Sequence, residues 1–318
     1  MHILAEIESF LTQYRNDIVH SKVETIQSED GAFDIHLIEL CGDHTAPKNG
    51  YTLLLVAGVH GLEWIGVTVL LHHLTHLIET SRWNAGVRSM INSARIIAIP
   101  ALNPTGIFQG RRATAQGIDL MRNAPIQAEA AIPFLGGHTL SPVLPYYRGT
   151  GELAPESRAL IRVVENLLET STGVVALDLH SGFGAKDRVW TPWSMTSAPP
   201  PYSEHYSALE RALNDSFPDH IYTFERQSDS YQTHGDLWDF LLVQNIKRNG
   251  PLFMPLTLEM GSWNWLKKAP WNAFTKLGWF HPLAPHRIQR ACRRHLTLLD
   301  FLVSVCANGN EFFSKKSS

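Results

Sequence analysis

Three cysteines (Cys41, Cys292 and Cys306) in 318 residues are too few and too widely spaced for a disulfide framework or a Cys-x-x-Cys metal site. Charge of one sign is also scarce: 27 Lys and Arg face 30 Asp and Glu, for a net charge of −3. A chain so balanced has no electrostatic footprint for nucleic acid, and no basic run marks it for a membrane surface. No apolar run reaches the roughly 18 residues of a membrane span. The first residues, with Glu6 and Glu8, are acidic where a secretory leader carries a basic region and an apolar core. The expected setting is therefore the reducing cytoplasm. No Gly/Ser-rich or charged linker divides the chain, and at 44% hydrophobic residues it can fill one large core. The expectation is one domain over 1–318, without internal repeats; nothing in the sequence fixes the oligomeric state.

What is present is an alternation of buried strands and helices. Apolar Leu4, Ile7, Phe10, Leu11 and Tyr14 at helical spacing predict a helix over 4–19. Short strands are predicted at 22–27 and 33–40, split by the turn residues Glu29, Asp30 and Gly31. A wholly apolar strand over 51–59 leads into a helix over 63–80, and 95–101 reads as a second buried strand. Residues 124–154, rich in Pro and Gly, read as a long ordered loop of the kind that carries function. Helices over 155–169, 236–244 and 285–306 and strands over 174–179 and 256–259 complete the pattern. In the last helix Arg287, Arg290, Arg293 and Arg294 should face solvent. Strands alternating with helices predict an α/β fold with a mixed, mainly parallel central sheet covered by helices on both faces.

Three of these strands end in groups that bind metal or move protons. Strand 51–59 ends at His60 and Glu63, strand 174–179 at Asp178 and His180, and strand 256–259 at Glu259. Each has an ordinary explanation when taken alone. Glu63 suits a helix start, His180 a rim position, and Glu259 a strand-end ion pair. Parallel strands, however, bring their carboxyl ends to one rim, where open α/β sheets place their sites. Imidazole and carboxylate both bind Zn²⁺, and three protein ligands leave a coordination position open for chemistry. Between these strands lie Arg112 and Arg122, able to fork a carboxylate or stabilise an oxyanion.

With those residues in view, the chain resembles the metallocarboxypeptidase family, the relatives of carboxypeptidase A, over about residues 50–265. The resemblance is carried by His60-x-x-Glu63, Asn103-Pro104-Thr105-Gly106, the run Arg112 to Asn123, His180-Ser181, Tyr231 and Glu259. Phe134–Gly137 and Tyr147–Gly149 are similar to segments of a bacterial branch of the family. The resemblance implies the family's α/β fold and one zinc ion per chain, held by His60, Glu63 and His180. It makes Glu259 the general base and Arg112 the group that polarises the scissile carbonyl. Arg122 would bind a substrate carboxylate beside Met121 and Asn123, and Tyr231 would close over the substrate. Met121 stands where the family has an Asn, and Met cannot donate the hydrogen bond that helps hold that carboxylate. Trp238 falls at the position that floors the family's side-chain pocket.

The expected activity is zinc-dependent hydrolysis of an amide bond in a small, carboxylate-bearing peptide or similar molecule. Nucleic acid and membranes are not expected partners. Two other readings share these ligands: an N-acyl amino-acid deacylase resembling aspartoacylase and succinylglutamate desuccinylase, and a zinc-containing binding protein without activity. Asp178 is expected to orient a zinc-binding histidine. His72, His73 and His76 on the helix after Glu63 read as a helix face. Trp190, Trp193, Trp263, Trp265 and Trp271 should pack about the loops over the site. Asp229 and Asp236, flanking Tyr231, could select a cationic group.

Overall fold

A computed structural model describes residues 2–40, 50–268, 270–275 and 277–314. Cys41 lies outside the described residues, while Cys292 and Cys306 are buried free thiols. The strands are β1 (Ile18–Ser28), β2 (Gly31–Leu40), β3 (Tyr51–Ala57), β4 (Arg95–Ile99), β5 (Gly173–Ser181), β6 (Arg188–Thr191), β7 (Thr223–Arg226) and β8 (Leu252–Met260). They form one eight-stranded sheet in the order β1-β2-β4-β3-β5-β8-β6-β7. The central β4, β3, β5 and β8 run parallel. At the flanks β2 is antiparallel to β4, and β6 to β8. The sheet is thus mixed and mainly parallel, as the strand–helix alternation predicts.

Side-chain alternation explains how one sheet serves two cores. On β3, Leu53, Leu55 and Ala57 join a core with the helices His2–Gln13, Trp64–Ser81 and Pro285–Ala307. Leu54 and Val56 face the other way, toward the helices Pro155–Thr170 and Leu237–Lys247. Leu53, Leu54, Leu55 and Val56 are all fully buried. Each contributes about 1.5–3 kcal/mol relative to an exposed side chain. On the second face the apolar lining gives way to polar groups at the strands' carboxyl ends. Val174 and Ala176 of β5 are followed there by Asp178 and His180, and Phe253 and Pro255 of β8 by Thr257 and Glu259. That change from apolar to polar places the site.

The structure moves several predicted boundaries. The first helix is shorter than 4–19, because Ile18 already starts β1. β8 begins at Leu252 rather than 256: Pro255, which discourages a strand assignment, sits opposite Ala176 in the β5 register. The pairing with β6 spans only Thr257 to Glu259, so Pro255 has an unpaired edge on that side. The helices Ala85–Ser93 and Ser203–Ser216 and the four-residue strands β6 and β7 are additional to the predicted elements. Residues 124–154 do form a loop without helix or strand, fixed by an isolated bridge between His138 and Tyr147. Among the described residues, no helix is long and apolar enough to cross a membrane.

Candidate active site

His60 and Glu63 leave the end of β3, and Glu63 occupies the N-cap of the helix Trp64–Ser81, where the helix dipole favours a carboxylate. Gly61 between them packs so tightly that an added Cβ would come within 2.1 Å of the Gly106 carbonyl carbon. His180 is carried by β5, and the sheet register sets it opposite Glu259 of β8. One ligand atom each from His60, Glu63 and His180 lies within 4.8 Å of the others, and all three residues are buried. Among the described residues this is the one cluster of at least three such groups that could hold a metal ion.

The hydrogen bonds fix how the imidazoles are turned. Nδ1 of His60 lies 2.9 Å from Glu63 Oε1, and Nδ1 of His180 lies 2.9 Å from Glu63 Oε2. On the outer side His60 Nε2 faces Asp119 Oδ1 at 3.1 Å, and His180 Nε2 faces Asp178 Oδ2 at 2.7 Å. Burial opposes charge on Asp119, but Arg112 and Arg122 outweigh it and hold its carboxyl well below the usual range. An ionised carboxylate only accepts, so each Nε2 donates outward and each Nδ1 turns a lone pair inward. Lone pairs facing carboxylate oxygens repel unless a proton or a cation lies between them. Two imidazole nitrogens and a carboxylate form a donor set that suits zinc. His180 answers the same need in protons: burial disfavours its charge, yet Asp178 and Glu63 raise its pKa well above the ordinary value. Glu63 is correspondingly lowered, because His60 and His180 overcome its burial.

Asp119 is the residue that sequence reasoning missed. Besides His60 it accepts from Arg112 Nε at 3.0 Å and Arg122 Nη1 at 3.2 Å through Oδ2, and from the Met121 amide at 3.1 Å. Its place in the Gly-Ile-Asp-Leu segment was the available signal. Arg112 also donates to Glu63 Oε1 at 3.2 Å, and Arg122 Nε to the Leu135 carbonyl at 2.9 Å. Both guanidiniums meet the ring of Tyr146, their central carbons 5.6 Å and 4.7 Å from its centroid.

Glu259 faces the same cleft of about 200 Å³, with Arg112, Arg122, Tyr231 and the ligand trio. Its Oε1 accepts from the Phe183 amide at 2.8 Å. Burial, reinforced by the nearby Glu63, pushes its carboxyl up to about 8. Tyr231 packs against Phe183 and Trp190, with ring centroids 5.5 and 5.8 Å away, and burial pushes its phenol up to about 12.

The other expected residues divide between the cleft and its surroundings. Asn123 is absent from the cleft lining. Its amide donates to the carbonyls of Arg148 and Glu152, and its oxygen accepts from Ala154 and Ser157, fastening the loop to a helix. Met121 does line the cleft. Trp238 is buried outside it and donates to Asp178 Oδ2 at 2.8 Å, so Asp178 orients His180 while being held itself. Asp236 lines the cleft and caps the helix Leu237–Lys247, whereas Asp229 pairs with Arg226. His73 lies 3.0 Å from Asp300 and His76 lies 3.7 Å away, linking two helices. Trp190 lines the cleft and Trp263 donates to the Gly182 carbonyl, but Trp271 is exposed.

Known proteins resemble the chain in sequence and in fold. A 145-residue stretch is 26% identical to carboxypeptidase Z of Mus musculus, covering 40% of this chain and 21% of that protein, so the match spans about a fifth of the relative. The crystal structure of thrombin activatable fibrinolysis inhibitor superposes with a TM-score of 0.73 at 18% identity, over 96% of this chain and 73% of that one. Carboxypeptidase A from Helicoverpa armigera gives 0.69 at 15% identity, over 99% and 73%. At these identities the two structures establish a common fold. The profile of the zinc carboxypeptidase family matches residues 12–269, and with most of its length so covered the chain belongs to that family.

Proposed function

We propose that the chain is a zinc metallopeptidase that hydrolyses the amide bond of a small peptide or peptide-like substrate bearing a carboxylate. The observation that carries this reading is the inward-facing trio of acceptors at His60, Glu63 and His180, with Glu259 opposite His180 and two arginines beside them. His60, Glu63 and His180 would hold one zinc ion per chain. When bound, zinc supplies a Lewis acid and brings the pKa of a water to about 7. With the cation's positive charge beside it favouring the carboxylate, Glu259 would take the proton of the attacking water and return it to the leaving amine. Arg112 donates to the carbonyl oxygen as negative charge builds there; losing one such donor costs about 10²–10³ in turnover. Arg122 binds the substrate carboxylate, and Tyr231 walls the bound peptide off from water. The buried free thiols Cys292 and Cys306 support a reducing, cytoplasmic setting.

The test is Glu259→Gln, assayed on short peptides and N-acyl amino acids in parallel. Zinc by elemental analysis should stay at one per chain while kcat falls by ~10²–10⁴. A fully active variant removes Glu259 from the mechanism, and cleavage confined to N-acyl amino acids replaces the peptidase reading with the deacylase one.

A further inference from the structure

The carboxylate-binding wall has a gap and a group able to fill it. Met121 lines the cleft beside Arg122 without a side-chain donor. Arg122 is nearly sealed, its Nε committed to Leu135 and one Nη to Asp119. Tyr146 lines the same cleft, and its ring covers both guanidiniums. Among the described residues its hydroxyl has no hydrogen-bond partner. A ring stacked on cations leaves the phenol O–H, which lies in the ring plane, free to donate.

The ring is also held in place. Tyr146 adopts a left-handed φ of 68°, a conformation that costs a non-glycine residue and persists where its surroundings impose it. Its carbonyl accepts from His138 N at 3.1 Å, and the next carbonyl, of Tyr147, accepts from Asp119 N at 2.8 Å. Phe134 meets the ring edge-on at 6.0 Å, and Phe134 itself stacks on His138 at 4.6 Å. The loop is thus tied directly to the segment that carries both arginines.

From this geometry we infer that Tyr146 is a substrate-binding residue, its hydroxyl donating to the substrate carboxylate on Arg122 in place of the donor that Met121 lacks. The inference rests on the carboxylate-directed peptidase reading above. Phenylalanine at this position keeps the ring over both arginines and deletes only the donor.

The experiment measures binding, so that it does not depend on turnover. Zinc-loaded Glu259→Gln protein, with and without Tyr146→Phe, is titrated calorimetrically with N-acetyl-dialanine and with its C-terminal amide. The expected result is tighter binding of the acid, weakened roughly 10–100-fold by Tyr146→Phe, with amide binding unchanged. An equal preference for the acid with and without Tyr146→Phe overturns the inference. So does a parent that binds acid and amide alike, or a variant that weakens both equally. An unchanged Tm of the phenylalanine variant confirms that folding is intact. In the Glu259-containing enzyme Tyr146→Phe should raise KM for the acid and leave kcat in place. Absence of hydrolysis there counts against the peptidase reading, while the binding comparison still decides the role of Tyr146.

Discussion

Replacing Glu156 by Gln separates the energetics of the fold from those of the site. Glu156 lies in the first turn of the helix Pro155–Thr170, fully buried, and neither carboxyl oxygen has a hydrogen-bond partner among the described residues. A helix N-terminus favours negative charge by about 0.3–1 kcal/mol. Burial opposes it more strongly, and the carboxyl rises from 4.5 to about 7. A shift of that size corresponds to about 3 kcal/mol. The folded chain then binds more protons than the unfolded chain between these two values, so its stability falls as pH rises through the window. Stability from the neutral carboxyl is fully present below about pH 4.5 and has been lost above about pH 7. Gln keeps the shape and removes the titration. Urea unfolding of zinc-loaded parent and variant at pH 5, 6, 7 and 8 isolates this group, because other titrating groups cancel in the difference. The variant should gain on the parent by roughly 2–3 kcal/mol between pH 5 and 8. A difference that stays level across that range would show that Glu156 is solvated or paired, and the burial argument would fail.

Two further outcomes follow from the site. Because Asp178 and Glu63 hold a proton on His180 well above its ordinary range, zinc added to metal-free protein at pH 7 should displace it and release protons. Calorimetry in buffers of different ionisation enthalpy reads this directly, and a heat independent of buffer would refute that protonation. Gly235, at φ +71°, packs so closely on Arg122 that an added Cβ would lie 1.9 Å from the Arg122 carbonyl oxygen. Gly235→Ala should therefore displace Arg122, lowering stability by about 1–3 kcal/mol and raising KM for carboxylate substrates; unchanged Tm and KM would mean that the segment yields freely.

The parts of the fold legible in sequence are those where burial leaves little choice of residue. β3 and β5 read clearly because both faces of each are covered, which demands unbroken aliphatic runs such as Leu53 to Val56. β7 is only half-buried along its length and gives no such run. Pro255 hid the start of β8 because local preference argues against a strand, whereas the register tolerates it. The cluster of His60, Glu63 and His180, with Glu259 beside it, was legible from strand ends, since parallel strands put those ends together. The roles of Asp119 and Tyr146 depend on where a long loop returns, and that is decided by backbone contacts such as Asp119 N to Tyr147 O rather than by any local pattern. Asn123 misled for the same reason: its neighbour Arg122 lines the cleft, while its own side chain closes the loop.

The placement of His180 and Glu259 on adjacent paired strands has an evolutionary consequence. Their spacing is inherited from the ladder of backbone amides, so insertions or deletions in segments that touch neither strand leave these two side chains facing each other. Sliding β5 past β8 by a single residue, by contrast, would turn Glu259 to the opposite face of the sheet, away from His180.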